Sequence, residues 1–280
     1  AMYRAKESGR NRYQFYTAEL TTQALERVVL ERDLSHAINK DQLIVHYQPK
    51  FSLKDGKLVG AEALVRWNHP EKGIIPPDRF IPLAEESGLI LALGDWVLRA
   101  ACEGIQRWRK AGLPLQSISV NVSGVQIQRG HMVETVTKVL EEIGLDPRYL
   151  ELEITETFIM QQADEAIKTL EELQELGVML AIDDFGTGYS SLNYLKRLPI
   201  GKLKIDRSFV KNIPEDSNDV AITKAVIALG KSLQLKVTAE GVETREQEMF
   251  LKSEGCNEVQ GYYYSRPVLE KDFVELLKKM

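Results

Sequence analysis

From Leu43 to the C-terminus the sequence alternates short apolar runs with amphipathic stretches, and this alternation narrows the possible folds more than any other feature. Strand-like runs lie at 43–49, 58–64, 117–122, 149–154, 178–183, 202–206, 236–240 and 258–262. Helical periodicity marks the stretches between them, near 78–86, 90–111, 131–143, 163–176, 190–197, 219–233 and 244–254, with a last helix at 270–279. The first two strands flank Lys54-Asp55-Gly56-Lys57, a tight-turn signal that predicts an antiparallel hairpin. Strands joined through helices are expected to be parallel, with right-handed crossovers. Eight strands in this pattern predict an α/β chain: a closed, TIM-like (β/α)8 barrel whose first strand is antiparallel. An open doubly wound sheet is the alternative, but no glycine-rich phosphate loop follows an early strand.

The N-terminal region reads differently. Residues 1–6 have the character of a helix interior, so a piece cut from a longer protein is expected. Gly9 to Tyr13 reads as a helix stop, and Phe15-Tyr16 as a short aromatic strand. From Thr17 to Lys40 a long helix is predicted, with Leu20, Ala24, Val28, Leu34 and Ala37 on its apolar face. The expected division is a short remnant at 1–16, a linking helix at 17–40 and the barrel at 41–280.

Composition excludes several functions. With 44% hydrophobic and 28% charged residues, the 280-residue chain suits a globular protein with a large core. No apolar run approaches the ~18 residues of a membrane helix. Cys102 and Cys256 are far apart and in no metal-ligand spacing, so both are read as core fillers in a reducing, cytoplasmic setting. A net charge of −5 without a basic stripe argues against a duplex nucleic-acid partner.

The parity of the strands carries the chemistry. Side chains alternate across a strand, so polar residues set among apolar neighbours fall on one face. Asn121, Glu153, Asp183, Lys204, Asp206, Glu240 and Gln260 all take the face opposite the helices, near strand ends, and Glu62 matches them in the second strand. In a parallel barrel these ends form the rim where active sites lie. Clustered carboxylates repel one another unless cations intervene, and carboxylates with an amide are the ligands of hard cations such as Mg2+ or Mn2+. With Asp184 beside Asp183 there are more ligands than one ion needs, and two ions ~3.5–4 Å apart suit phosphoester hydrolysis. The residues alone point to a metal-dependent hydrolase or lyase on a barrel, without naming its substrate.

At these positions the sequence resembles the EAL-domain phosphodiesterases, from roughly Leu25 to the C-terminus. The motifs are Tyr47-Gln48-Pro49, Glu62-Ala63-Leu64-Val65-Arg66-Trp67, Asn121-Val122-Ser123, Glu153-Ile154-Thr155-Glu156, the run from Asp183 to Ser191, Lys204-Ile205-Asp206, Ala239-Glu240-Gly241-Val242-Glu243 and Gln260-Gly261-Tyr262. The resemblance implies cleavage of cyclic di-GMP to linear pGpG, with a catalytically inactive cyclic di-GMP receptor as the alternative. It implies that Glu62, Asn121, Glu153 and Asp183 hold one metal, and that Asp183, Asp184 and Glu240 hold the second. Lys204 would position or activate water, with charge balance as the plainer role, alongside Asp206 and Glu240 as catalytic groups. Gln48, Leu64, Arg66, Asp206 and Gln260 would contact substrate, while Glu243 and Gln260 would orient ligands from behind. Glu156 would anchor the glycine-rich loop after Asp184, although its position past the strand also fits an exposed carboxylate. Homodimerisation through residues 184–198, using Leu192, Tyr194, Leu195 and Leu198, is a further implication. Residues 1–16 resemble the end of a GGDEF domain, so GGDEF and sensor domains are expected upstream.

Overall fold

A computed structural model describes residues 18–113, 115–129, 131–188 and 192–279. The expected remnant at 1–16 lies outside the described residues, as do Tyr189, Ser190 and Ser191 of the rim loop.

The first hairpin forms as the turn signal predicts, from β1 (Leu43–Ser52) and β2 (Leu58–His69), paired antiparallel with Gln48 opposite Glu62. The parallel strands β4 (Ser117–Val122), β5 (Leu150–Thr155), β6 (Met179–Phe185), β7 (Lys202–Ile205), β8 (Lys236–Ala239) and β9 (Glu258–Val259) follow in order from β2. Antiparallel pairing of β9 with β1 closes the ring, giving an eight-strand barrel with one reversed strand. Two short strands add to the outside, β3 (Gly73–Ile75) beside β2 and β10 (Val268–Leu269) beside β1.

Helix α1 (Ala18–Ala37) precedes the barrel, and α2 (Pro77–Ser87) and α3 (Ile90–Lys110) separate β2 and β3 from β4. Then come α4 (Gly124–Gln128), α5 (Met132–Ile143), α6 (Glu156–Glu175), α7 (Leu192–Leu195), α8 (Arg207–Val210), α9 (Ser217–Ser232), α10 (Arg245–Glu254) and α11 (Glu270–Lys278). Val120, Leu152, Ile182, Leu203 and Val237 bury their side chains between barrel and helices, where Cys102, Ile105, Val136, Leu170 and Ile227 meet them. Each such side chain contributes ~1.5–3 kcal/mol by leaving water. Both cysteines are free and buried.

Three expectations shift. Among the described side chains of α1, Leu34 and Ala37 are buried as expected, but Val28 is 63% exposed and Leu30 is buried in its place. Helix α6 begins at Glu156 directly after β5, because Thr155 is extended and Ile159 is driven into the core. Strand β9 stops at Val259, since Gly261 lies against the Val242 backbone, where a Cβ would come within 2.0 Å of the carbonyl oxygen. Among the described residues no helix is long and apolar enough to cross a membrane.

Candidate active site

Inside the barrel the alternation places polar side chains in the lumen. Lys204, wholly buried on β7, is the hub of the rim. Its ammonium pairs with Glu153 Oε2, with Glu240 Oε1 at 2.6 Å and with Asp183 Oδ1 at 3.0 Å, and it lies 3.7 Å from Glu62 Oε2. Asn121 donates to Glu62 Oε1 at 2.7 Å. Gln260 donates to Gln48 Oε1 at 2.8 Å and to Glu62 Oε2 at 2.5 Å, while Gln48 donates to the Ser265 carbonyl at 3.2 Å. Glu62, Asn121, Glu153, Asp183, Lys204, Glu240 and Gln260 thus stand in one cluster, drawn from seven successive barrel strands and their ends. Among the described residues Gln260 Oε1 has no hydrogen-bond partner although buried, leaving a spare acceptor on a residue of the cluster.

A second charged layer lies beneath the first. Lys50 donates to Ser119 Oγ at 2.6 Å, Glu151 Oε1 at 2.9 Å and Glu153 Oε1 at 2.5 Å. Lys202 pairs with Glu151 Oε2 at 2.6 Å and Glu258 Oε2 at 2.7 Å. Apart from Glu153, these residues were not among the sequence-predicted site residues. The layer is nearly self-neutralising: burial alone would raise the Glu151 carboxyl, but Lys202 and Lys50 hold it well below the usual carboxylate range. Burial alone would lower the Lys50 ammonium, yet Glu151 and Glu153 keep it raised.

The rim is not balanced in this way. Burial, then the negative charges of Asp183, Glu62 and Glu153, push the Glu240 carboxyl well above its ordinary range despite Lys204. Glu153 is raised by burial against the pull of Lys204 and Lys50. Asp184 is pushed up to about 6 by burial and by the neighbouring charges of Asp183 and Asp206. It also sits in the left-handed backbone region at φ 53°, a conformation that costs a non-glycine residue free energy. Lys204 stays charged: burial opposes its ammonium, but Asp183, Glu153, Glu240 and Glu62 raise its pKa well above the ordinary value. Ligand atoms of Asp183, Asp184 and Glu240 all lie within 4.8 Å of one another. This all-oxygen set, with an orphaned amide oxygen nearby, fits a hard divalent cation.

Around the cluster, Asp206 accepts from the Ser208 N–H at 2.9 Å, capping α8, and its charge helps raise the Asp184 carboxyl. Glu156 is wholly buried, so the exposed-carboxylate reading does not hold. Its Oε2 accepts the N–H groups of Gly186 at 2.8 Å and Gly188 at 3.3 Å, tying down the loop that leaves Asp184. Glu243 is exposed, and only its backbone N–H is seen bonded, to Gln247 Oε1 at 2.7 Å; the structure does not bring its carboxylate into the cluster. Because β2 outruns its neighbours, Leu64 and Arg66 continue the face of Glu62 beyond the rim. They line a cavity of about 280 Å³ with Ile81, Glu85, Asn121 and Ser123. A larger groove of about 850 Å³ between α1 and α2 lies away from these carboxylates, so chemistry rather than size locates the site. Leu195 and Leu198 are buried in the chain's own core, which removes much of the apolar surface expected for self-association.

The sequence matches the family described as EAL domain over residues 31–267. The bifunctional diguanylate cyclase/cyclic di-GMP phosphodiesterase MucR of Pseudomonas aeruginosa is 47% identical over 268 residues, covering 96% of this chain and 39% of MucR. The cyclic di-GMP phosphodiesterase NbdA of the same organism is 47% identical over 268 residues, covering 96% of this chain and 34% of NbdA. Among solved structures, the PaMucR phosphodiesterase in its c-di-GMP complex matches with a TM-score of 0.84 at 46% identity, over 88% of this chain and 99% of that one. The chain therefore spans about a third to two fifths of the length of these two relatives.

Proposed function

This chain belongs to the EAL-domain family, and we propose that it is a metal-dependent phosphodiesterase that opens one phosphodiester bond of cyclic di-GMP to give linear pGpG. The observation that carries the reading is unbalanced charge in the barrel mouth. At the rim Lys204 alone faces Glu62, Glu153, Asp183, Asp184 and Glu240, leaving four negative charges, which two divalent cations would match. In this reading Glu62, Asn121, Glu153 and Asp183 hold one Mg2+ or Mn2+, and Asp183, Asp184 and Glu240 hold a second. When bound, such cations neutralise the phosphate and lower the pKa of water.

The chain's own residues supply binding and orientation. Arg66 presents a guanidinium fork suited to a phosphate, with Leu64 as an apolar wall beside it. Gln260, which donates to both Gln48 and Glu62, fixes with Gln48 the floor on which substrate rests. Lys204, held as an ammonium by its carboxylates, acts as a donor that orients water and carboxylates rather than as a proton acceptor. Asp206, whose charge is felt by Asp184, stands beside the second set of ligands as an acceptor for water or substrate. Glu156 keeps the Asp184 loop in place.

We also read α1 as the link from an upstream GGDEF domain, ending at 1–16, to the barrel at 41–280, in keeping with the greater length of the relatives. Self-association through 184–198 would rest chiefly on half-buried Tyr194, and sedimentation at micromolar concentration tests it.

The test is incubation with cyclic di-GMP and Mg2+ or Mn2+, followed by chromatography of the nucleotides. Formation of pGpG that stops in EDTA is expected. Binding without cleavage would make the chain a receptor module, and cleavage unaffected by EDTA would overturn the metal reading.

A further inference from the structure

Glu153 stands at the boundary between the two layers of the barrel. Its Oε2 meets Lys204, whose ammonium also touches Asp183 and Glu240 at the rim. Its Oε1, 2.5 Å from Lys50 Nζ, belongs to the lower layer, because Lys50 is also bonded to Glu151 and Ser119. We propose that Lys50 is a positioning residue that makes the site selective for Mg2+ or Mn2+ over Ca2+. It does so by retaining Glu153 Oε1 in the lower layer, so that Oε2 alone is presented to a cation at the rim. The inference rests on the reading of Glu153 as a metal ligand.

The geometry makes the restraint firm. An ammonium has three donors, and those of Lys50 go to Ser119, Glu151 and Glu153, which fixes Nζ from three directions. Lys50 is 1% exposed, so no bulk water waits to replace Glu153 if that carboxylate turns upward. Turning it would leave a buried charge short of a partner, a costly state. Mg2+ requires single oxygens in a near-ideal octahedron, whereas Ca2+ takes more oxygens and readily accepts both from one carboxylate. A carboxylate confined to one oxygen therefore penalises Ca2+ more.

Lys202 provides the comparison. It is 2% exposed, carries the same charge, lies in the same layer and binds Glu151 and Glu258, with Glu153 not among its ion-pair partners. Removing any nearby positive charge strengthens the attraction for every divalent cation, so the ratio of Ca2+ to Mn2+ affinity separates the number of oxygens offered from simple charge.

The experiment titrates EDTA-stripped protein with Mn2+ and with Ca2+ by calorimetry. It uses the unaltered chain, Lys50→Met, Lys202→Met, and Lys50→Met combined with Glu151→Gln. The double variant keeps the lower layer charge-balanced should the single one fail to fold. Both Lys50 variants are expected to shift the affinity ratio toward Ca2+ by about tenfold, and Lys202→Met by less than about twofold. An unchanged ratio in the Lys50 variants, or an equal shift in Lys202→Met, overturns the proposal. An unaltered chain that takes up no Mn2+ would instead overturn the metal reading beneath it.

Discussion

Replacing Glu156 should loosen the rim loop and weaken metal binding by an amount that the structure bounds. The carboxylate accepts two backbone N–H groups, from Gly186 at 2.8 Å and Gly188 at 3.3 Å. A charge-assisted bond of the first length contributes ~1.5–3 kcal/mol, and the longer one less. Gly188 is exposed and Gly186 half-buried, so water recovers part of the loss in Glu156→Ala. A net cost of about 2–3 kcal/mol remains. Gly186 holds φ at 102°, where a Cβ would also come within 2.9 Å of Phe209, so no other residue easily restores the loop's path. The loop leaves from Asp184, so at most that whole cost reaches the cation, a weakening of about a hundredfold. We expect Mn2+ affinity to fall about 10- to 100-fold in Glu156→Ala, with turnover falling in parallel and Tm lower by several degrees. Glu156→Gln keeps an acceptor oxygen without the charge and should lose roughly half as much on a logarithmic scale. Calorimetry with Mn2+ on the three proteins decides the matter. Glu156→Ala binding within about threefold of the unaltered chain would refute the anchoring argument, since the lost bonds are too strong to leave affinity untouched.

Lys204→Met should lower kcat by ~10²–10⁴-fold with a smaller change in KM, and normal kcat with raised KM would place the lysine in substrate binding instead. The same variant in EDTA should be destabilised by about 3–5 kcal/mol, because Glu153, Asp183 and Glu240 lose their common partner, and chemical melts in EDTA measure this. Glu62→Ala, Asn121→Ala and Asp183→Ala should each nearly abolish turnover and Mn2+ uptake with circular dichroism unchanged; near-normal rates at low metal in several of them would show the ligand set to be wrong. Asp184 has a folded-state pKa raised to about 6, so the folded chain binds its proton more tightly than the unfolded chain does. Metal-free stability should therefore fall as pH rises from the ordinary carboxylate range through about 6, with the penalty complete above it. Asp184→Asn should flatten that decline in EDTA melts, and Mn2+ should raise Tm more at pH 7 than at pH 4.5.

The barrel was legible because its two periods are both written plainly. Runs such as Ile118-Ser119-Val120-Asn121 and Leu150-Glu151-Leu152-Glu153 alternate without a break, and the helices between them carry the 3.6 period. The reversed first strand was legible from a single turn, Lys54 to Lys57. Less legible were the places where backbone contacts override the pattern. The end of β9 at Val259 comes from the close approach of the Val242 backbone, which donates its N–H to the Gln260 carbonyl and crowds Gly261, and no side-chain alternation announces it. Helix α4 depends on a capping box between Ser123 and Gln126, a local signal too short to stand out beside the longer periodic runs. The burial of Glu156 was hidden for a different reason. A glutamate opening a helix is ordinarily solvated, and only the return of the Gly186–Gly188 backbone across it supplies the donors that make burial tolerable.

The lower charged layer was also written in the sequence, in the same parity that revealed the rim. Two residues before Asn121, Glu153, Lys204, Glu240 and Gln260 stand Ser119, Glu151, Lys202, Thr238 and Glu258, and all of them are buried. Along the reversed β1 the step runs the other way, from Gln48 to Lys50. What concealed the layer is that lysine and glutamate at strand termini ordinarily face water. Lys50 also falls just past the predicted end of the first strand. Where the rule gives a small residue instead, as at Gly60 two before Glu62 and Ala181 two before Asp183, the lumen gains room, and the Lys50 stem passes close to where a Gly60 side chain would begin. A barrel whose second tier is ionic can hold the carboxylates above it by directed bonds rather than by apolar packing. A ring of apolar side chains would fill the same space, but it would leave Glu153 free to rotate. With Lys50 and Lys204 each engaging one of its oxygens, rotation requires breaking two buried ion pairs at once. The charges that look misplaced in a barrel core therefore give the rim its fixed geometry.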